Sequence, residues 1–267
     1  MLKSIAGCGA AIVGALLMTT SDVAVAGPGG ATAQTDIIAI DVLLDPDAAA
    51  LAAATDVNGK VRQAFPASFA LGDTHAPHIT MMQRYVRAND LSAIEAAVSN
   101  VLIKQDPRSL KLQTLGLHPV SAASLGVPSQ PGLENIGVLF LLVEPTPELR
   151  QLQQTVAEAI APFTVADGNG SAFVQDPGET INVPTIAYVK DFVPKASGAN
   201  YTPHITTGMA PMDVLQKVAA EPFKSITFSP ATVSIYHLGN FGTARTKLWG
   251  WMPGAAASAS MSMPMQQ

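Results

Sequence analysis

Cysteine is almost absent from this chain. Cys8 is the only one in 267 residues, and it lies in a segment that reads as an export signal. The processed protein would therefore carry no thiol, which excludes disulfides, a cysteine nucleophile and a thiolate metal site. Charge is also scarce. Lys and Arg number 15 against 20 Asp and Glu, the charged fraction is 13%, and the net charge is −5. A protein that tracks a nucleic-acid backbone needs a basic face. Nothing in the composition argues for an extended nucleic-acid surface, so any phosphate-bearing substrate is expected to be small, or an RNA end. No apolar run reaches the ~18 residues of a membrane span, so no membrane association is expected once the signal is removed. His-Glu-x-x-His and Gly-x-Ser-x-Gly are both missing.

What the chain does have is apolar residues, 48% of the total, enough for a sizeable core in one large domain or two small lobes. Lys3, the apolar run Ile5–Met18 and Ala24-Val25-Ala26 form the n-region, h-region and cleavage site of a signal peptide over 1–26. Export to the periplasm or the medium follows. Ile5-Ala6-Gly7-Cys8 resembles a lipoprotein box, but too little apolar sequence precedes it. Residues 27–34 read as a flexible leader and 252–267, rich in Ala, Ser and Met, as a disordered tail.

Between them lies a domain over 35–251. Strands are predicted over 35–44, 77–86, 110–120, 136–143, 202–209, 225–238 and 246–251. Helices are predicted over 46–64, 91–105, 146–160 and 212–220. Asp45 is the expected cap of the first helix, and Asn58-Gly59 a possible interruption. Residues 121–133 read as a loop, 164–184 as the least ordered part of the middle, and 185–193 as ambiguous between helix and strand. Pro230 is expected to break the long late strand.

Two strands carry one string. Pro77-His78-Ile79-Thr80 and Pro203-His204-Ile205-Thr206 lie 126 residues apart. Each is followed by a helix and another strand, a weak internal repeat. It predicts an α+β fold of two similar lobes, with antiparallel sheets, helices outside, a pseudo-twofold axis and a central cleft. Side chains at i and i+2 of a strand share a face. His78 and Thr80 therefore point together, as do His204 and Thr206, with Ile79 and Ile205 turned into the core. Two imidazoles on one cleft divide the labour of acid–base catalysis, and two hydroxyls donate to phosphate oxygens between them. One such string is more often structural; two in matching contexts point to phosphodiester chemistry that needs no metal or other cofactor.

The paired His-x-Thr strings resemble the two-histidine phosphoesterase superfamily, which includes 2′-5′ RNA ligase and cyclic-phosphodiesterase proteins. Tyr236-His237-Leu238-Gly239-Asn240-Phe241-Gly242-Thr243-Ala244-Arg245 also resembles the last strands of that group. The resemblance implies opening of 2′,3′-cyclic phosphates, or its reversal as 2′-5′ ligation. His78 and His204 are the catalytic candidates and Thr80 and Thr206 the phosphate binders. Many members follow each string with a hydrophobic residue; Met81 fits that pattern and Thr207 departs from it. A non-catalytic nucleotide-binding module is the rival reading.

Arg245 and Lys247 are the cations best placed to meet a phosphate, with Arg245 the preferred one. Tyr201 could stack on a base or lie in the core. His75 reads as a rim residue, and His118 and His237 as structural. A monomer is expected.

Overall fold

The computed structural model describes residues 36–126 and 135–253. The expected signal peptide, leader, residues 127–133 of the loop and the tail beyond Pro253 lie outside them. Nine strands and five α-helices follow in order among the described residues: β1 Ile37–Pro46, α1 Ala48–Ala64, β2 Ile79–Arg87, α2 Leu91–Lys104, β3 Leu112–Ser121, β4 Ile136–Val143, α3 Pro147–Ile160, β5 Thr164–Val165, α4 Val183–Ala196, β6 His204–Pro211, α5 Met212–Ala219, β7 Thr227–Phe228, β8 Pro230–Leu238 and β9 Ala244–Gly250. They build two antiparallel sheets, ordered β5-β2-β1-β8-β9 and β6-β4-β3-β7. The fold is α+β, as the sequence predicts.

The strand orders contain the internal repeat. β2, β1 and β8 of one sheet correspond to β6, β4 and β3 of the other. The first repeat runs β1, α1, β2, α2, β3; the second runs β4, α3, β6, α5, β8, with β5, α4 and β7 inserted. Each sends its last strand to the other sheet: β3 pairs with β4, and β8 returns to β1. Pro230 makes the second crossing. The long strand predicted over 225–238 is two strands, and the chain leaves β7 in one sheet to enter β8 in the other. Proline cannot donate to a ladder, so it suits the first residue of a new strand.

Several local expectations change. β1 runs on through Pro46, and the first helix is capped by Asp47, not Asp45; Asp47 Oδ1 accepts from the amides of Ala49 and Ala50 at 3.0 Å. Asn58 does not interrupt that helix, because its side chain is buried and fully bonded. Residues 183–196 are helical, with Asn182 Oδ1 accepting from Thr185 N. The segment 164–184 is packed rather than loose: Ala172, Phe173 and Ile181 are buried with Tyr85, Val189 and Leu238.

The main core fills the space between one face of β1 (Ile40, Val42, Leu44) and the apolar stripes of α2 and α3 (Ile94, Val98, Leu102, Leu149, Leu152, Val156). A separate cluster joins α1 and α5 to the buried face of β4 and β6 through Val57, Val61, Leu139 and Leu215. Gly208 permits close approach there, since a Cβ would lie 2.9 Å from the Val61 side chain.

Candidate functional site

Both His-x-Thr strings sit at the start of a strand, as their prolines favour. His78 directly precedes β2 and His204 opens β6. Ile79 and Ile205 are fully buried, which pins each strand and turns its His and Thr to the opposite face. In both repeats the strand then bulges. Register shifts fall between Val42 and Leu43 on β1 and between Leu139 and Phe140 on β4. Met81 and Thr207 are the extra residues. Thr207 is fully buried, yet its hydroxyl donates to Leu139 O at 2.9 Å. A bonded hydroxyl is tolerated in a core, so the departure at this position is structural.

The imidazoles are held alike. Nδ1 of His78 lies 2.7 Å from Ala76 O, and Nδ1 of His204 lies 2.8 Å from Thr202 O. A carbonyl only accepts, so each Nδ1 carries a hydrogen and each Nε2 is the atom left for proton transfer. β2 and β6 touch across the seam between the sheets. Tyr201 bridges it, its hydroxyl donating to Thr80 O at 3.1 Å.

The surroundings of the two histidines differ. Strand pairing sets Leu43 opposite Thr80 and Asp41 opposite Gln83; in the second repeat Phe140 is opposite Thr206 and Val138 opposite Met209. The position of a carboxyl–amide pair in one half is thus taken by an apolar pair in the other. His204 stacks on Phe140, with ring centroids 3.9 Å apart. Desolvation there, aided by His78, pushes its pKa down to about 4 against a hydrogen bond to Thr202 that raises it. His78 has instead the Asp41 Oδ2 at 3.7 Å from its Nε2. Asp41 is fully buried, and burial pushes its pKa up to about 6 although His78, Thr80 and Gln83 pull it down.

The hydroxyls differ too. Thr80 Oγ1 donates to Asp41 Oδ2 at 2.7 Å, so its hydrogen is engaged. Thr206 shares the half-exposed face of β6 with His204.

Tyr201 and Arg245 both have protein partners. Tyr201 is only 4% exposed and belongs to the main core, so it presents no ring face to a base. Arg245 is paired with Asp176, Nη2 to Oδ1 at 2.7 Å, and does not stand as a free cation. Lys247 on β9 lies 5.9 Å from the Tyr236 ring centroid. His237 is structural, its Nε2 donating to Ala172 O at 2.9 Å. His75 stacks on Phe69 in the loop before β2, and its pKa is lowered by burial and by Arg245. His118 is exposed on β3 and paired with Phe140, on the same sheet face as Thr206.

Sequence reasoning missed Asp41, Gln83 and Phe140. Asp41 is the one charge in the strand run Ile37–Leu44; a polar residue inside such a run is the signal that could have found it. Phe140, within a continuous apolar run, gives no comparable signal.

The chain matches the family model described as the 2′-5′ RNA ligase superfamily over residues 46–241. No curated protein matches it. Similar solved structures include E. coli LigT complexed with NADP+, at 12% identity and TM-score 0.37, covering 80% of this chain and 97% of that one. E. coli LigT complexed with 3′-AMP follows at 13% and 0.36, covering 80% and 97%. Kluyveromyces marxianus Usb1 aligns at 9% and 0.37, covering 80% and 98%.

Proposed function

The chain belongs to the 2′-5′ RNA ligase superfamily, and on that premise we propose that it opens 2′,3′-cyclic phosphates of nucleotides or RNA ends, with His204 as general base and His78 as general acid. The observation that carries this reading is the matched pair of imidazoles, each with Nδ1 tied to a backbone carbonyl and Nε2 left for chemistry.

The unequal surroundings support the division of roles. His204, with its pKa pushed down to about 4, is neutral at pH 7 and has a lone pair on Nε2. It takes a proton from the attacking water as the new phosphorus–oxygen bond forms. A proton donor must complement it, and the Asp41 carboxylate 3.7 Å from His78 Nε2 is placed to pair with an imidazolium. His78 hands its Nε2 proton to the departing ribose oxygen as the cyclic phosphorus–oxygen bond breaks. Protons balance within the pair, and each well-placed group contributes ~10²–10⁴ in rate. Thr206 donates to a phosphate oxygen. Arg245 reaches the phosphate only by exchanging Asp176 for it.

The reverse reaction, 2′-5′ ligation, would use the same groups. Export from the cell is part of the proposal and rests on residues 1–26 alone; fractionation of expressing cells tests it.

The activity test incubates the protein with 2′,3′-cyclic AMP in excess chelator, beside His78→Ala and His204→Ala. Turnover that survives the chelator and is lost in both variants supports the reading. Unchanged substrate, or turnover that persists without both histidines, refutes it. Tight nucleotide binding without turnover would leave a binding module.

A further inference from the structure

Asp41 is buried in the middle of β1 with three groups crowded on one oxygen. Oδ2 accepts from Thr80 Oγ1 at 2.7 Å and from Gln83 Nε2 at 3.1 Å, and lies 3.7 Å from His78 Nε2. The partner atoms of the same pair have nothing. Asp41 Oδ1 and Gln83 Oε1 are buried without a hydrogen-bond partner. Buried acceptors are rarely left so. The fold does not demand a polar pair here, because Val138 and Met209 fill the equivalent position of the second repeat.

The charge inventory points the same way. Facing Asp41 are His78, Thr80 and Gln83 from β2 and its lead-in, Tyr236 across from it on β8 with Lys247 beyond, Tyr188 from α4 and Tyr201 from the lead-in to β6. Of the two basic groups among these, His78 comes nearer, its Nε2 3.7 Å from Asp41 Oδ2. An arriving phosphate competes for that same imidazole.

We propose that Asp41 is a positioning residue that takes up one proton when a phosphate binds, so that Thr80 can turn its hydroxyl hydrogen from Asp41 to the substrate. The inference rests on the phosphoester reading of the site. In the free protein the carboxylate can only accept, so the single Thr80 hydrogen must point at Oδ2. A bound phosphate replaces Asp41 as the partner of His78. The dry carboxylate, left beside an anion, is then disfavoured as a charge. One proton moves from solvent to Asp41, no bond to phosphorus changes, and the new carboxyl O–H donates to Thr80 Oγ1. Thr80 then donates into the site beside Thr206. Burial that already pushes the Asp41 pKa to about 6 makes the uptake accessible near neutral pH.

Sulfate is the probe, because it stays a dianion across this range and is not turned over. Infrared difference spectra with and without saturating sulfate are recorded at pH 7.5 for the wild type and Asp41→Asn. The expected result is a protonated-carboxyl band that appears with sulfate in the wild type and is missing in Asp41→Asn. Labelling wild-type aspartate with ¹³C must shift that band, so the assignment holds even if the variant folds poorly. Sulfate affinity of the wild type should match Asp41→Asn at pH 5 and fall below it by roughly tenfold for each pH unit above about 6, approaching a hundredfold at pH 8. No band on binding, a band that survives in Asp41→Asn, or no sulfate binding at all overturns the inference. Turnover of 2′,3′-cyclic AMP, measured alongside, keeps the two claims apart. Turnover without the band sinks only the Asp41 inference, and the band without turnover sinks only the catalytic reading.

Discussion

Asn58 and Gln153 do the same work from opposite repeats. Asn58, on α1, donates to Thr207 O at 2.9 Å and to Phe69 O at 3.0 Å, and accepts from Leu71 N at 3.1 Å. Gln153, on α3, donates to Met81 O at 3.1 Å and to Ser197 Oγ at 2.9 Å, and accepts from Gly198 N. Each buried amide holds the loop leading to its own repeat's histidine and the bulge that follows the other's. The two strings are thereby tied to one frame, although neither amide touches either imidazole.

Leucine at either amide should therefore harm both histidines. Asn58→Leu and Gln153→Leu each leave a buried bulge carbonyl without its donor. A loss of ~1–3 kcal/mol in unfolding free energy is expected. Denaturant melts measure it. Because bulge and loop positions slacken together, kcat should fall more than KM rises. A variant with wild-type stability and kcat would show that these amides hold nothing of consequence.

Thr207→Val tests the departure at the bulge. Valine removes the bond to Leu139 O but fills the same space, and the equivalent Met81 is apolar and fully buried. The cost should stay near ~1 kcal/mol, with turnover of cyclic nucleotide unchanged. A large loss of activity at full stability would give the hydroxyl a role beyond the fold.

The stacking of Phe140 on His204 has a consequence for pH dependence. Desolvation holds the His204 pKa at about 4, so the base stays neutral and active down to that pH. Phe140→Ala admits water and should carry the acidic limb of kcat/KM upward toward the ordinary imidazole value of about 6.5. A limb that does not move would remove His204 as the base.

Asp41 also makes stability depend on pH in a stated direction. Its folded pKa of about 6 lies above the ordinary carboxyl value of 3.8, so the native state holds this proton more tightly. The associated stability is complete below the unfolded value and is lost as pH rises through about 6. Asp41→Asn carries no such charge. It should gain on the wild type between pH 4 and pH 8, by on the order of 1–3 kcal/mol. Thermal melts across that range read the difference.

The sequence made the repeated strings, the alternation of strand and helix and the α+β class legible, because each depends on local pattern. The exchange of β3 and β8 between sheets was not, since two antiparallel sheets built within each repeat would show the same pattern. The unequal halves of the site were hidden for a related reason. Asp41 and Phe140 come from β1 and β4, far in sequence from the histidines they influence, and only strand register places them there. Tyr201 adjoins the second string in sequence, which left a base-stacking and a core reading both open; its side chain turns into the core.

A single phosphate should fit between His78 and His204. A crystal structure of the full chain grown with sulfate tests it most directly. One anion is expected within ~2.7–3.2 Å of Nε2 on both histidines, with the Thr206 hydroxyl on a third oxygen. An anion held by one histidine alone, or the two Nε2 atoms too far apart to share it, would contradict the account.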